Sequence, residues 1–273
     1  MLLRSARNPD ARQASSIASA VLADPAQRFS NRADAYVAGR PGFPAALVAH
    51  LLAAGAFGPG ATVVDLGAGT GLSAEPFLRA GCSVIGVEPN AAMRAAGEAY
   101  LAGFAGYRAV DGTAEATTLP AGCAQLLIAG QAFHWFDPLA ARREALRVLA
   151  PGGWAALFWN EREHDSGFGA GYQRLCVEFG PEHTQVRDRN SDFSTVAAFF
   201  GGEAPPPLHF AHSKFVDRTQ LAAQAASTSY LPAAGTPQYA RLRAALDALF
   251  DAHATDDRVE MRHICRLHAA RLS

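Results

Sequence analysis

Short, nearly continuous apolar runs alternate with stretches of helical period from residue 62 onward. Thr62–Leu66 reads as a buried parallel strand, and Cys82–Val87, a short Tyr107–Val110, Ala124–Ala129 and Trp154–Trp159 read as the strands that follow it. Between them lie predicted helices at Ala45–Ala54, at Leu72–Ala80, from Pro89-Asn90 onward, and at Pro138–Leu149. In the last, Leu139, Ala141, Ala145, Leu146, Val148 and Leu149 form one wide apolar arc against Arg143, Glu144 and Arg147, with Arg142 interrupting it. Strands alternating with helices require right-handed crossovers and a parallel sheet.

Past residue 160 the rhythm changes. Residues 161–203 are expected to be helical and irregular, with Phe168, Tyr172, Leu175, Cys176 and Phe179 as one stripe, and Ala204-Pro205-Pro206-Pro207 ends them. Leu208–Val216 and Arg258–Leu267 are expected to pair antiparallel at the sheet edge, with helices Thr219–Thr228 and Pro237–Ala252 between them. The expected organisation is a polar extension over 1–28 with one short helix near Ala11–Ala23, a core over 29–160, a helical cap over 161–207, and the edge strands with cap helices 219–253 over 208–273.

Composition narrows the function classes. A chain of 273 residues buries a full core with length left for a lid, and a net charge of −1 makes no case for nucleic acid or membrane binding. The cysteines at 82, 123, 176 and 265 are scattered without metal-ligand spacing, so no metal is expected. No apolar run reaches the roughly 18 residues of a membrane span, and Met1-Leu2-Leu3-Arg4 is followed by polar sequence. A cytoplasmic protein, monomer or weak homodimer, is the expectation.

Candidate chemistry starts at Val63-Val64-Asp65-Leu66-Gly67-Ala68-Gly69-Thr70-Gly71, a strand that turns sharply through glycines into a helix. Dinucleotide sites favour G-x-G-x-x-G/A, and Leu72 occupies the position that should be small. Glu88, at the end of the second strand, has the reach of one βαβ unit from Asp65 and suits a ribose, since a carboxylate accepts from both hydroxyls; a helix-capping acid is the other reading. Met93, one turn into the next helix, is either an adenine cover or core packing. Gln131-Ala132-Phe133-His134-Trp135-Phe136, just past the fourth strand, places aromatics and a histidine where doubly wound folds bind ligands.

The G-x-G-x-G run with Asp65 resembles the first motif of class I S-adenosylmethionine (SAM) dependent methyltransferases. Tyr36–Pro44 resembles the "Y-x-x-x-R-P-x-Y/F-P" lead-in of a subgroup that includes trans-aconitate methyltransferases. Gln131–Phe136 resembles its "Q-A-x-H-W-F" marker, Leu146–Gly153 the strand lead-in "L-R-V-L-x-P-G-G", and Ser227–Pro232 its "S-x-S-Y-x-P" segment. The likeness implies a Rossmann-like class I methyltransferase fold: an α/β protein whose central, mostly parallel seven-stranded sheet has an antiparallel edge strand and a helical cap. It also implies SAM as donor, S-adenosylhomocysteine as product, and a small-molecule acceptor, with a lean to carboxyl O-methylation.

On that likeness the cofactor set is Tyr36, Asp65, Gly67, Ala68, Gly69, Gly71, Glu88, Pro89, Met93, Thr113, Ala114, Gln131, Ala132 and Phe133. Phe133 or Trp135 would wall the sulfonium, as aromatic faces attract cationic methyl groups. Trp135 and Asn160 are the acceptor-side candidates. Arg40 would orient a carboxylate, Tyr230 would reach the acceptor, and His134 has three readings: general base, donor that fixes the acceptor, or structural histidine. Phe43 is either part of the cofactor's mouth or a strap packed on the sheet. The rival classes are a catalytically silent SAM-binding scaffold and an NAD-dependent oxidoreductase.

Overall fold

The computed structural model describes residues 40–165, 167–180, 193–228 and 230–273, so the expected 1–28 extension falls outside it. Helix α1 (Ala45–Ala53) leads into β1 (Thr62–Leu66), α2 (Glu75–Arg79), β2 (Ser83–Val87), α3 (Ala91–Tyr100), β3 (Tyr107–Val110) and β4 (Ala124–Gly130). A 3-10 turn (Phe133–Trp135) precedes α4 (Pro138–Val148), β5 (Leu149–Arg162) and α5 (Gly167–Phe179). Helix α6 (Phe193–Phe200), β6 (Leu208–Val216), α7 (Arg218–Ser227), α8 (Pro237–His253) and β7 (Val259–Arg271) complete the order.

One seven-stranded sheet runs β3-β2-β1-β4-β5-β7-β6. Strands β1 to β5 pair in parallel, and β7 lies antiparallel between β5 and β6. Val63, Val64, Leu126 to Ala129 and Ala155 to Phe158 are all fully buried, which explains why these strands read as unbroken apolar runs. One face buries Leu66, Val87, Phe133, Val148 and Phe199; the other buries Leu47, Leu51, Phe77, Leu126 and Phe158. Each such side chain contributes about 1.5–3 kcal/mol on burial.

Three boundaries differ from expectation. Helix α2 starts only at Glu75 because Pro76 sets its first turn, and 72–74 remain a turn of the loop. Strand β5 extends at both ends, and β7 runs on to Arg271 because β5 keeps pairing with it past Leu267, where the pairing with β6 stops. The expected cap also divides. Helices α5, α7 and α8 share a separate core of Phe168, Tyr172, Cys176, Leu221, Leu242 and Phe250, whereas α6 packs on α4 and buries Val196 and Phe199 in the sheet's own layer. The apolar side chains of α6 find the face of Phe133 and Trp159, and so the helix joins the sheet rather than the cap.

Candidate active site

The order of the parallel strands reverses between β1 and β4, the place where doubly wound sheets open a ligand crevice beyond their carboxyl ends. The glycine loop bridges that point. Gly67 has φ +64°, and a Cβ there would stand 2.7 Å from the Cβ of Ala132; Gly71 has φ +82°, with Leu101 Cδ1 2.5 Å away. No larger residue fits either place, and the first contact joins the loop after β1 to the turn after β4.

The loop's amides are mostly engaged. Gly67 and Ala68 N–H both donate to the Val87 carbonyl at 2.9 and 3.1 Å, and Gly71 N–H donates to Ala68 O at 2.8 Å. Gly69 N–H donates to Glu88 Oε2 at 3.0 Å, while Glu88 Oε1 accepts from Asn90 N–H at 2.9 Å. Helix α2 is short and begins well past the glycines. Recognition in this cradle therefore falls to acids rather than to a helix terminus.

Two carboxyls define it. Asp65 is fully buried and accepts Ser73 Oγ–H at 2.6 Å through Oδ2; its Oδ1 is buried without a hydrogen-bond partner among the described residues. Burial pushes this carboxyl up to about 7, the Ser73 bond opposes that rise, and the nearby Glu88 charge adds to it. Burial also raises Glu88, against the lowering effect of the Asn90 and Gly69 amides and of Arg94. When ionised, this pair of carboxyls at the tips of adjacent strands suits a ligand that brings donors and positive charge.

Around this pair the expected cofactor residues fall as follows. Asn90 caps α3 by accepting from Ala92 and Met93 amides at 2.9 and 3.1 Å, which leaves Glu88 to face the loop. Met93 is buried with its Cε 3.4 Å from where a Gly69 Cβ would stand. Thr113 closes a tight turn on Ala116, and Ala114 is buried beneath it. Pro89 presents its carbonyl to Arg94, which also binds the Glu88 carbonyl at 2.7 Å and Asp111 at 3.2 Å. Arg94 thus ties the β2 and β3 tips together. Sequence reading missed it, and its place one turn past the Asn90 cap was the available signal.

The turn after β4 sorts its residues to two sides. Gln131 adopts φ +57°, donates N–H to Phe158 O at 2.9 Å and reaches Asn160 O through Nε2 at 3.1 Å. Ala132 faces the glycine loop. Phe133 points into the core, 5.2 Å from the Phe199 ring and 6.3 Å from Trp159. That placement gives Phe133 a packing role, so of the two aromatics expected to wall a sulfonium only Trp135, 37% exposed, stands clear of the core. His134 is half-buried, its ring 4.8 Å from Trp135.

The remaining candidates meet elsewhere, under the cap. Phe43 lies edge-on to Phe158 at 4.6 Å, the packing-strap reading of that residue. The Gly42 carbonyl accepts Asn160 Nδ2 at 3.0 Å, and Asn160 Oδ1 contacts His212 Nε2 at 2.9 Å. Arg40 Nη2 donates to Ser227 O at 3.3 Å, and its own carbonyl accepts Lys214 Nζ at 3.1 Å. Tyr230 Oη accepts Arg162 Nη2 at 3.0 Å. Glu161, the neighbour of Asn160, pairs instead with Arg266 at 2.9 Å. Ser227 and Thr228 hydroxyls both donate to Gln224 O, which is helix-end capping. Tyr36 lies outside the described residues.

So the structure brings Asp65, Gly67 to Gly71, Glu88, Met93 and Ala132 into one cradle. It gathers Arg40, Asn160 and Tyr230 in a second group under the cap, with Gln131 bonded across to Asn160, and the space they border is the cap chamber. A crevice lined by Thr62, Ser83, Tyr107 and Cys123 opens at the strands' opposite, N-terminal ends, away from both. All four cysteines are free, and among the described residues no group of His, Cys, Asp or Glu converges as a metal site. Among the same residues no helix is long and apolar enough to cross a membrane.

A doubly wound sheet with an antiparallel β7, a glycine turn and an acid at each of the first two strand tips defines the Rossmann-like class I methyltransferase fold. Comparison with known proteins agrees. The model of the methyltransferase domain family matches residues 64–157. An uncharacterized methyltransferase of Mycobacterium tuberculosis is 35% identical over 161 residues, 59% of this chain and 62% of the relative, as is its counterpart in Mycobacterium bovis. One of Schizosaccharomyces pombe is 30% identical over 130 residues, 47% of this chain and 51% of its own. The match thus spans about 62% of the length of the first of these curated relatives. A solved structure of a proposed type II methyltransferase from Anaeromyxobacter dehalogenans shares the fold with a TM-score of 0.63 at 23% identity, covering 85% of this chain and 98% of that one.

Proposed function

We propose that this chain is a SAM-dependent methyltransferase that methylates a carboxylate oxygen of a small-molecule acid. The observation that carries the reading is the pairing of an acidic cradle with a cation-lined chamber, connected through the Gln131–Asn160 hydrogen bond. The cradle fits SAM: the buried Asp65 Oδ1, without a partner among the described residues, suits the ammonium group, and Glu88 suits the ribose hydroxyls. Met93, Pro89, Thr113 and Ala114 would flank the adenine, while Gly67 to Gly71, Gln131 and Ala132 would follow the methionine tail. Trp135 would supply an aromatic face near the sulfonium.

When bound, SAM supplies an activated methyl group: the acceptor's carboxylate oxygen bonds the methyl carbon as the carbon–sulfur pair leaves with sulfur, giving a methyl ester and S-adenosylhomocysteine. No proton moves in that step, so the chain's residues have only to bind, orient and exclude water. Arg40 orients the carboxylate, Tyr230 and Asn160 bound the chamber, and His134 is a positioning donor. The scattered free cysteines support a reducing, cytoplasmic setting.

The test is calorimetric titration with SAM, S-adenosylhomocysteine and NAD, then transfer from radiolabelled SAM to a panel of carboxylic acids, phenols and amines. Binding of the first two alone, with alkali-labile label on acids, is expected. Binding of NAD, or label that is stable to alkali, overturns the reading.

A further inference from the structure

Arg162 carries a charge that no carboxylate among the described residues neutralises. It sits at the end of β5, two residues past Asn160, and period 2 puts both on one face of the sheet. There it stands opposite His263 of β7, which in turn stands opposite His212 of β6, the two imidazoles stacked at 5.4 Å. The cap closes over this row. The Arg162 guanidinium lies 4.6 Å from the Tyr172 ring centre, donates from Nη2 to Tyr230 Oη at 3.0 Å and reaches Cys176 Sγ from Nη1 at 3.8 Å.

A ring face, a phenol and a thiol leave the positive charge in place. Among the described residues no carboxylate pairs with Arg162; its neighbour Glu161 is turned to the other face and held by Arg266. Burial pushes both tyrosines up, so they stay neutral phenols. Other cations act on the same space: Arg40 on Tyr172 and Tyr230, and Lys214 on His263, which burial, then Arg162 and His212, push down to about 3, so that it stays neutral. Asp217 acts on Lys214 at the margin. Holding a guanidinium under a cap without a counter-ion is costly, and an incoming anion removes that cost.

We infer that Arg162, framed by Tyr172 and Tyr230, is an oxyanion receptor for the acceptor, which carries a carboxylate or phosphate that docks beneath the cap. A planar guanidinium offers paired donors to either group, and the Tyr230 hydroxyl, which accepts from Arg162 and donates to Cys176 Sγ at 3.9 Å, borders the same side. The inference deepens the methyltransferase reading, since it names what the acceptor must display. It does not depend on which atom takes the methyl group.

The test titrates the full chain, saturated with S-adenosylhomocysteine, with phenylacetate, phenyl phosphate and the neutral phenylacetamide. An oxyanion is expected to bind at least about tenfold more tightly than the amide, phenylacetate leading if the group is a carboxylate and phenyl phosphate if it is a phosphate. Arg162→Met should lose about tenfold or more of that affinity with S-adenosylhomocysteine binding unchanged, and Arg162→Lys should keep part of it. Equal affinity for acid and amide overturns the inference, as does equal behaviour of Arg162→Met and the unaltered chain toward all three probes, absence of binding included. If Arg162→Met does not fold, the acid-against-amide comparison and Arg162→Lys decide. Failure of S-adenosylhomocysteine to bind would sink the cofactor reading, and the same probes on the unloaded chain would still judge Arg162. An acceptor methylated on nitrogen or carbon that still needs Arg162 would remove only the carboxyl O-methyl step.

Discussion

The cradle at the β1 and β2 tips and the chamber under the cap differ in sign and in origin. The cradle is acidic, built on Asp65 and Glu88, and both acids come from one βαβ unit with the loop between them. The chamber is basic, built on Arg40, Arg162 and Lys214, and it gathers residues from the strap before α1, the tip of β5 and the edge strand β6. Under the proposed function, opposite fields on adjoining sites would sort two ligands without a moving part, a cation on one side and an anion on the other. Methyl transfer from a sulfonium to a carboxylate is a reaction of that kind, and it consumes both charges.

This contrast can be broken from the cradle outward, in order of effect on cofactor binding. Gly71→Val puts a branched side chain at φ +82° and into Leu101, so it should cost about 2–4 kcal/mol of stability and lower Tm by roughly 5–15 °C in a thermal melt. An unshifted melt would show that the loop relaxes freely. Glu88→Ala should weaken S-adenosylhomocysteine by about 1–3 kcal/mol in calorimetry through lost hydrogen bonds to a charged acceptor. Unchanged affinity would remove the ribose assignment and, with it, the acidic half of the comparison.

The pH dependence sharpens the same half. Asp65 stands at about 7 in the folded chain, above its value of 3.8 in water, so it is protonated there over a range where the unfolded chain is ionised. Its contribution to folding is therefore greatest below about pH 4 and declines as pH rises toward 7. Ammonium binding needs the ionised form, so affinity for S-adenosylhomocysteine should rise about tenfold between pH 6 and 8. Asp65→Asn should flatten that profile; a rise that persists in the variant would assign it to another group. The smallest effect belongs to residues outside the cradle: His134→Ala and Arg40→Ala should shift cofactor affinity by less than about 0.5 kcal/mol while slowing turnover or raising the acceptor KM. Collapse of cofactor binding in either would move that residue into the cradle.

Much of the fold and the cradle was legible in the chain, because both rest on local rules. Buried parallel strands must be continuously apolar, a tight turn at positive φ against the Ala132 and Phe136 side chains needs glycine at Gly67, and Asn90 caps α3 through its own side chain. These constraints act within one βαβ unit, so residue order reveals them. Other outcomes depended on which surfaces met in space. Phe133 went to the core because α6 supplied Phe199, and α6 joined the sheet because that face was apolar. Arg162 lies past the expected end of the fifth strand at Trp159, and its surroundings came from the register with His263 and from Tyr172 and Tyr230 on the cap. The sequence by itself determined the doubly wound sheet and the acidic cradle; the tertiary structure alone decided the basic chamber, since a field summed from residues far apart in the chain exists only once folding has brought them together.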